Sequence, residues 1–207
     1  EQADHNIHGG SLNYTLSSKD YKHRLNVYTS IQSIGRESYY GAGQDTNAYG
    51  KTKDFTVVGG TQYSHDFDNF LFMPSSLTAG IEYSYNKLND LMLGYRREIN
   101  QDVSVYSAYL QNEWKTGQFS FLLGGRLDKN SKIDDPIFSP RLNIRYNPIP
   151  DLSLRASYSE GFRAPQTYDE DLHVAAVGGE VTLIQVAKDL KTERSRSYSA
   201  SVDYYTT

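Results

Sequence analysis

Imidazole, carboxylate and phenol are the groups through which this chain could ligate a metal or grip a bulky ligand. It has no cysteine, and so neither a thiolate metal site nor a disulfide framework. Its five histidines, His5, His8, His23, His65 and His173, are scattered, and only His173 stands in a long irregular acidic stretch, after Tyr168, Asp169, Glu170 and Asp171. Imidazole is a good ligand for iron and cobalt, but a lone loop histidine is more often a plain polar surface residue. A second cluster lies in "RESYYGAGQDTNAYGK". There Tyr39, Tyr40 and Tyr49 offer flat amphipathic faces while Gln44, Asp45 and Asn47 offer hydrogen bonds, the mixture expected where a large ligand is held. The plain alternative is an aromatic interface position followed by a turn-rich loop. Asp45 and Asn47 carry oxygen atoms of the kind calcium takes, but one acid and one amide do not make a site. Catalysis finds no support: no G-x-S-x-G elbow is present, and the paired acids Asp134-Asp135 and Asp169 to Asp171 have no positioned partner.

The elements that must position these groups are strands. Nowhere do about 18 apolar residues run together, so no helix of this chain crosses a membrane. A mean hydropathy of -0.63 is nevertheless compatible with a barrel in lipid, whose strands alternate lipid-facing and lumen-facing residues. The net charge of -4 lacks the basic footprint of a nucleic-acid binder, so no nucleic acid is expected as partner. No export signal opens the chain at Glu1, so any such signal is taken as removed or as lying outside it.

Period-two alternation predicts about nine strands. Leu25, Val27, Thr29 and Ile31 oppose Asn26, Tyr28, Ser30 and Gln32, and Leu77, Ala79, Ile81, Tyr83 and Tyr85 oppose Thr78, Gly80, Glu82, Ser84 and Asn86. Phe119, Phe121, Leu123 and Leu127 oppose Ser120, Gly124 and Arg126, with Leu122 breaking the pattern. Leu142, Ile144 and Tyr146 face away from Arg141, Asn143 and Arg145, and Leu152, Leu154, Ala156 and Tyr158 from Ser153, Arg155, Ser157 and Ser159. Tyr198, Ala200, Val202 and Tyr204 close the series. Residues 55–65 and 103–114 carry apolar side chains in both parities and leave the face open.

The connections alternate in length. Residues 17–20, 116–117 and 147–151 are tight links, with 66–76 a longer one of the same set. Residues 39–51, 88–101, 129–137 and 161–190 are long. Short turns at one end and long loops at the other are the habit of outer-membrane barrels, and Trp114, Phe119, Tyr146 and Tyr204 lie near the tight ends, where an interfacial aromatic belt belongs. Arg126, Arg141, Arg145, Arg155 and Glu82 fall on the inward faces, too many charges for a dry interior. A lumen filled with water or with a polar domain is expected. About nine strands leave two open edges, which hydrocarbon does not tolerate, so residues 1–207 read as part of a larger antiparallel transmembrane β-barrel.

The stretch "EGFRAPQTYDEDLH" after one strand, with "DLKTERSRSYSASVDYY" opening the next, resembles the TonB-dependent receptors of the bacterial outer membrane, especially Bacteroidetes-type members importing cobalamin, haem or ferric siderophores. "GGRLDKN" and "FSPRLNIRYNP" fit the same style. The resemblance implies about 22 strands around a plug domain, which together with the remaining strands would lie outside this chain. It also implies a bulky metal chelate bound from outside rather than a covalent cofactor, and an inner-membrane TonB-type complex acting through the plug. A surface lipoprotein lid belongs to some members, and outer-membrane lipid is the surrounding partner of all. Phe162, Arg163, Ala164 and Pro165 would then mark where a strand leaves the sheet, because proline donates no ladder bond and keeps Ala164 extended. Arg163 would pair with Asp169, Glu170 or Asp171. By the same resemblance His173 would ligate haem iron, and Tyr168 would join it in the ligand-binding loop, although "AKDL" stands where the family often has an Asn-Pro box. Cobalamin and haem lead the expected cargoes, with ferric siderophore next. A passive porin-like channel and a non-transporting surface binding or adhesion domain are the alternatives.

Overall fold

The computed structural model describes residues 2–39, 48–92, 94, 96–167, 176–177, 180–181, 187 and 190–206. Eleven strands occur among them: β1 (Gln2–Ser17), β2 (His23–Tyr39), β3 (Tyr49–Phe70), β4 (Met73–Met92), β5 (Arg97–Lys115), β6 (Phe119–Asn130), β7 (Ile137–Ile149), β8 (Leu152–Arg163), β9 (Ala176–Val177), β10 (Glu180–Val181) and β11 (Glu193–Tyr204). β1 to β8 and β11 form one nine-stranded antiparallel meander in chain order, and β9 pairs with β10 in a small ladder of its own.

Register settles every face. The odd residues from Leu25 to Ile31, from Leu77 to Tyr85 and from Phe119 to Leu127 and the even residues of β7, β8 and β11 share one side by their cross-strand pairing. The open segments resolve the same way: Phe55, Val57 and Tyr63 of β3 and Tyr106, Leu110 and Trp114 of β5 join the apolar side. Most of these side chains stay exposed, among them Ile81, Leu110, Leu123 and Phe138, each more than half accessible. Among the described residues no second sheet covers them, as a soluble sandwich would require. Residues 77 to 85 of β4 cover about 27 Å of strand, or roughly 21 Å of height at a tilt near 40°, close to the apolar band of an outer-membrane barrel.

The tight turns share one end. Asp66 N donates to Lys22 O at 2.8 Å and Asn147 N to Gln118 O at 2.7 Å, tying neighbouring turns together. At the first of them the Ser18 hydroxyl and the Lys22 backbone N–H hold the Asp20 carboxyl below the usual carboxylate range. Aromatic packing follows at this end. Trp114 stacks between Phe72 and Phe121, with ring centroids 5.4 and 5.6 Å away, and its Nε1 donates to Phe70 O at 2.9 Å.

Two expected loops are largely strand. The link over 66–76 shrinks to the turn at Leu71 and Phe72, with Leu71 at a φ of 67°, and the loop over 88–101 is ladder up to Met92 and again from Arg97. Likewise β2 and β3 remain paired up to Tyr39 and Tyr49. The β5–β6 ladder starts only at Val105, so about eight residues of β5 rise roughly 27 Å along the strand beyond β6. Above the bilayer no lipid demands an apolar outer face, so alternation fades while pairing continues. There the inner side becomes a second core, with Leu88 and Met92 almost fully buried beside Thr52 and Asp90.

Candidate functional site

The inner, polar side carries one connected network from β2 to β6. Tyr28 Oη donates to Glu82 Oε2 at 2.6 Å, and Arg126 Nη2 donates to Glu82 Oε1 and to Ser107 Oγ, each at 2.7 Å. Arg126 Nε reaches Asp128 Oδ1 at 2.8 Å, an oxygen that also accepts from Ser107 Oγ at 2.6 Å. The guanidinium lies 6.0 Å over the Tyr109 ring, whose hydroxyl donates to Gln62 Oε1 at 2.9 Å.

Two glycines make this reach possible. Gly60 is paired with Tyr28 on one side and Glu82 on the other, and Gly80 with Gln62 and Tyr109. Each tyrosine lies flat across the glycine of the middle strand and bonds a residue one strand further on. A Cβ at Gly60 would stand 2.6 Å from Tyr28 Cζ, and one at Gly80 would overlap the Tyr109 ring. Beside the network opens a cleft of about 460 Å³ that extends to Arg141 and Ser139. Within the network the Arg126 charge is closed on Glu82 and Asp128. Such a wall presents a connected row of hydrogen-bonding groups along the inner face.

Nearer the long-loop end, Arg36 Nη2 donates to Thr52 Oγ1 at 3.1 Å, Thr52 Oγ1 to Asp90 Oδ1 at 2.6 Å, and Arg97 Nε to Asp90 Oδ2 at 2.6 Å, all buried. Beside them Gln101 clasps the chain beyond β8. Its Nε2 donates to Thr167 O and its Oε1 accepts from Thr167 N, both at 2.9 Å and both buried. A side-chain amide thus imitates a strand pair and pins the segment that follows Pro165 onto β5.

The residues proposed from sequence fall in several places. Tyr39 and Tyr49 face each other across the upper β2–β3 ladder, ring centroids 4.8 Å apart, with Tyr49 largely exposed. Tyr40, Asp45, Asn47, Tyr168 and His173 lie outside the described residues, as do Asp169, Glu170 and Asp171, the partners suggested for Arg163. Phe162 and Arg163 end β8, paired with Arg194 and Glu193, and Ala164, buried, and Pro165 follow. Arg126, Arg141, Arg145 and Arg155 occupy the polar side in register, Leu122 among them. Only Arg126 joins the network. Tyr28, Gln62, Ser107, Tyr109, Asp128 and Gln101 were not singled out from sequence. The signal available for two of them was a tyrosine in the polar phase of one strand with a glycine in the polar phase of the next.

An exposed apolar belt, a charged inner face and ends of unequal length define a β-barrel of the outer membrane, seen here as a section of its wall. The chain belongs to the family described as TonB dependent receptor-like, beta-barrel, whose model matches residues 2–207. It is a receptor barrel of the bacterial outer membrane and not an enzyme. It is 30% identical over 134 residues to the iron-regulated outer membrane virulence protein of Vibrio cholerae, a match over 63% of this chain and 20% of that protein. In fold it is similar to the siderophore receptor PirA from Acinetobacter baumannii, with a TM-score of 0.78 at 17% identity, over 100% of this chain and 33% of that one. The ferric enterobactin receptor PfeA from Pseudomonas aeruginosa aligns with a TM-score of 0.70 at 15% identity, over 98% of this chain and 33% of that one. The chain therefore spans about a third of the length of these receptors.

Proposed function

We propose that this chain is the wall section of a receptor that imports a ferric siderophore across the outer membrane, drawing energy from an inner-membrane TonB-type complex. The observation that carries the reading is the polar network spanning five strands behind a lipid-facing belt, in a chain whose relatives are named for iron regulation and siderophore binding. Those names favour ferric siderophore over cobalamin and haem, reversing the order expected from sequence. The passenger is polar and bulky, held by hydrogen bonds rather than by covalent chemistry, and the iron is cargo. Tyr40, Asp45, Asn47 and Tyr168 are its loop contacts, while Tyr39 and Tyr49 share the outward parity of β2 and β3 and flank the passenger's entry at the rim. His173 enters only if haem is the cargo, and calcium and a lipoprotein lid have no part in this reading.

The test is uptake by cells carrying the full-length receptor under iron limitation, with ferric siderophores, haemin and cobalamin offered separately. Growth on a ferric siderophore that stops when the inner-membrane proton gradient is collapsed supports the proposal. Uptake indifferent to the gradient indicates a passive channel. Surface binding without uptake indicates an adhesion or capture domain, and growth on haemin or cobalamin alone restores the original order of cargoes.

A further inference from the structure

The polar side closes its charges from β2 to β6 but not beyond. Arg145 on β7 and Arg155 on β8 are directly opposed partners, a position in which like charges repel. The Arg145 Nε is buried and has no hydrogen-bond partner among the described residues. In the same set, the one acid within ion-pair distance of either guanidinium is Asp203, whose Oδ2 lies 3.5 Å from Arg155 Nη2. Neighbouring polar groups are engaged with each other: Ser120 Oγ donates to Glu113 Oε1 at 2.6 Å, and the Ser157 and Ser199 hydroxyls bond one another at 2.6 Å. Both arginines line a cleft of about 260 Å³ that runs from β5 to β11, together with Asn143, Ser201 and the Glu113 carboxylate that Ser120 engages.

Two opposed guanidiniums, one with a buried donor unused, are an arrangement that an anion completes. A planar or tetrahedral oxyanion between them replaces repulsion with charge-assisted bonds, and the forked guanidinium fits carboxylate and phosphate geometry. We propose that Arg145 and Arg155 form an oxyanion site on the inner wall, near the tight-turn end, that takes a carboxylate or phosphate group. The site stands apart from the Tyr28–Glu82–Arg126 network and does not depend on which cargo the receptor carries.

The test heats the full-length receptor in detergent at constant ionic strength, comparing sodium phosphate with sodium chloride. If the site takes a free oxyanion, phosphate at ten times its dissociation constant raises the midpoint by about 1 °C in a receptor of this size, and Arg155→Gln abolishes the rise. If it holds a further carboxylate side chain of the receptor, phosphate leaves the wild type unmoved while, in a Glu113→Gln background that removes the cleft's own acid, Arg145→Glu melts below Arg145→Gln, because carboxylate then faces carboxylate. Either result supports the site. It is overturned if phosphate shifts Arg155→Gln as much as wild type. It is also overturned if phosphate acts like chloride and, in that background, Arg145→Glu melts at or above Arg145→Gln, as an empty site where the new glutamate pairs with Arg155 would give.

Discussion

Replacing Gln101 with alanine isolates the contact that ties the chain after β8 to the tall β4–β5 hairpin. The wild-type amide makes two buried hydrogen bonds to the backbone of Thr167, a residue 66 positions away and 7% exposed. Each is worth about 0.5–1.5 kcal/mol net, so the pair holds the segment closed by about 1–3 kcal/mol. In Gln101→Ala the open population should therefore rise about 5- to 150-fold. The Thr167 amide reports this directly, because its own N–H donates to Gln101. Hydrogen exchange on the full-length receptor in detergent should show its protection fall by that factor while the lower β5–β6 ladder stays protected. Gln101→Glu keeps the acceptor but sets a carboxylate against Thr167 O, and should open the segment at least as far. A change in Thr167 exchange smaller than twofold in both variants would mean that other contacts hold the segment and would refute this reasoning.

Other consequences follow from faces and register. Leu123→Arg puts a charge on the lipid side and should cost about 2–4 kcal/mol in refolding into bilayers, whereas Leu122→Arg, opposite Glu113 on the polar side, should cost far less; equal costs would show the register to be wrong. Gly80→Ala should displace the Tyr109 ring and break its bond to Gln62, costing about 1–3 kcal/mol, and the loss should shrink in a Tyr109→Ser background if the clash is the cause. Asp20 has a depressed native pKa, so its turn contributes stability above the unfolded value near about 3.9 and loses it as pH falls through the native one. The stability gap between wild type and Asp20→Asn, measured by urea unfolding, should hold steady near neutral pH and close in acid; a gap independent of pH would remove the carboxylate from the account.

Alternation alone determined the strand class, the apolar faces of β7, β8 and β11 and the polar placement of the four arginines, because lipid imposes its demand on every second residue of each strand that crosses it. The tight turns were legible for a similar reason: short polar links such as Thr116-Gly117 interrupt that pattern sharply. Residues 55–65 and 103–114 were not legible, since both parities carry apolar side chains and only their partners in β2, β4 and β6 choose between them. Nor were the upper reaches of β3, β4 and β5, where the outer side meets water and the inner side packs on protein, so Leu88, Asp90 and Met92 share one face without an alternating signature. Tertiary structure alone decided the contacts between residues far apart in sequence. Tyr28 meets Glu82 only because Gly60 lies between them, and Gln101 meets Thr167 only because the chain returns over β5. Such pairings depend on the register of a strand that neither residue belongs to, or on a chain reversal far along the sequence, and no local pattern records either.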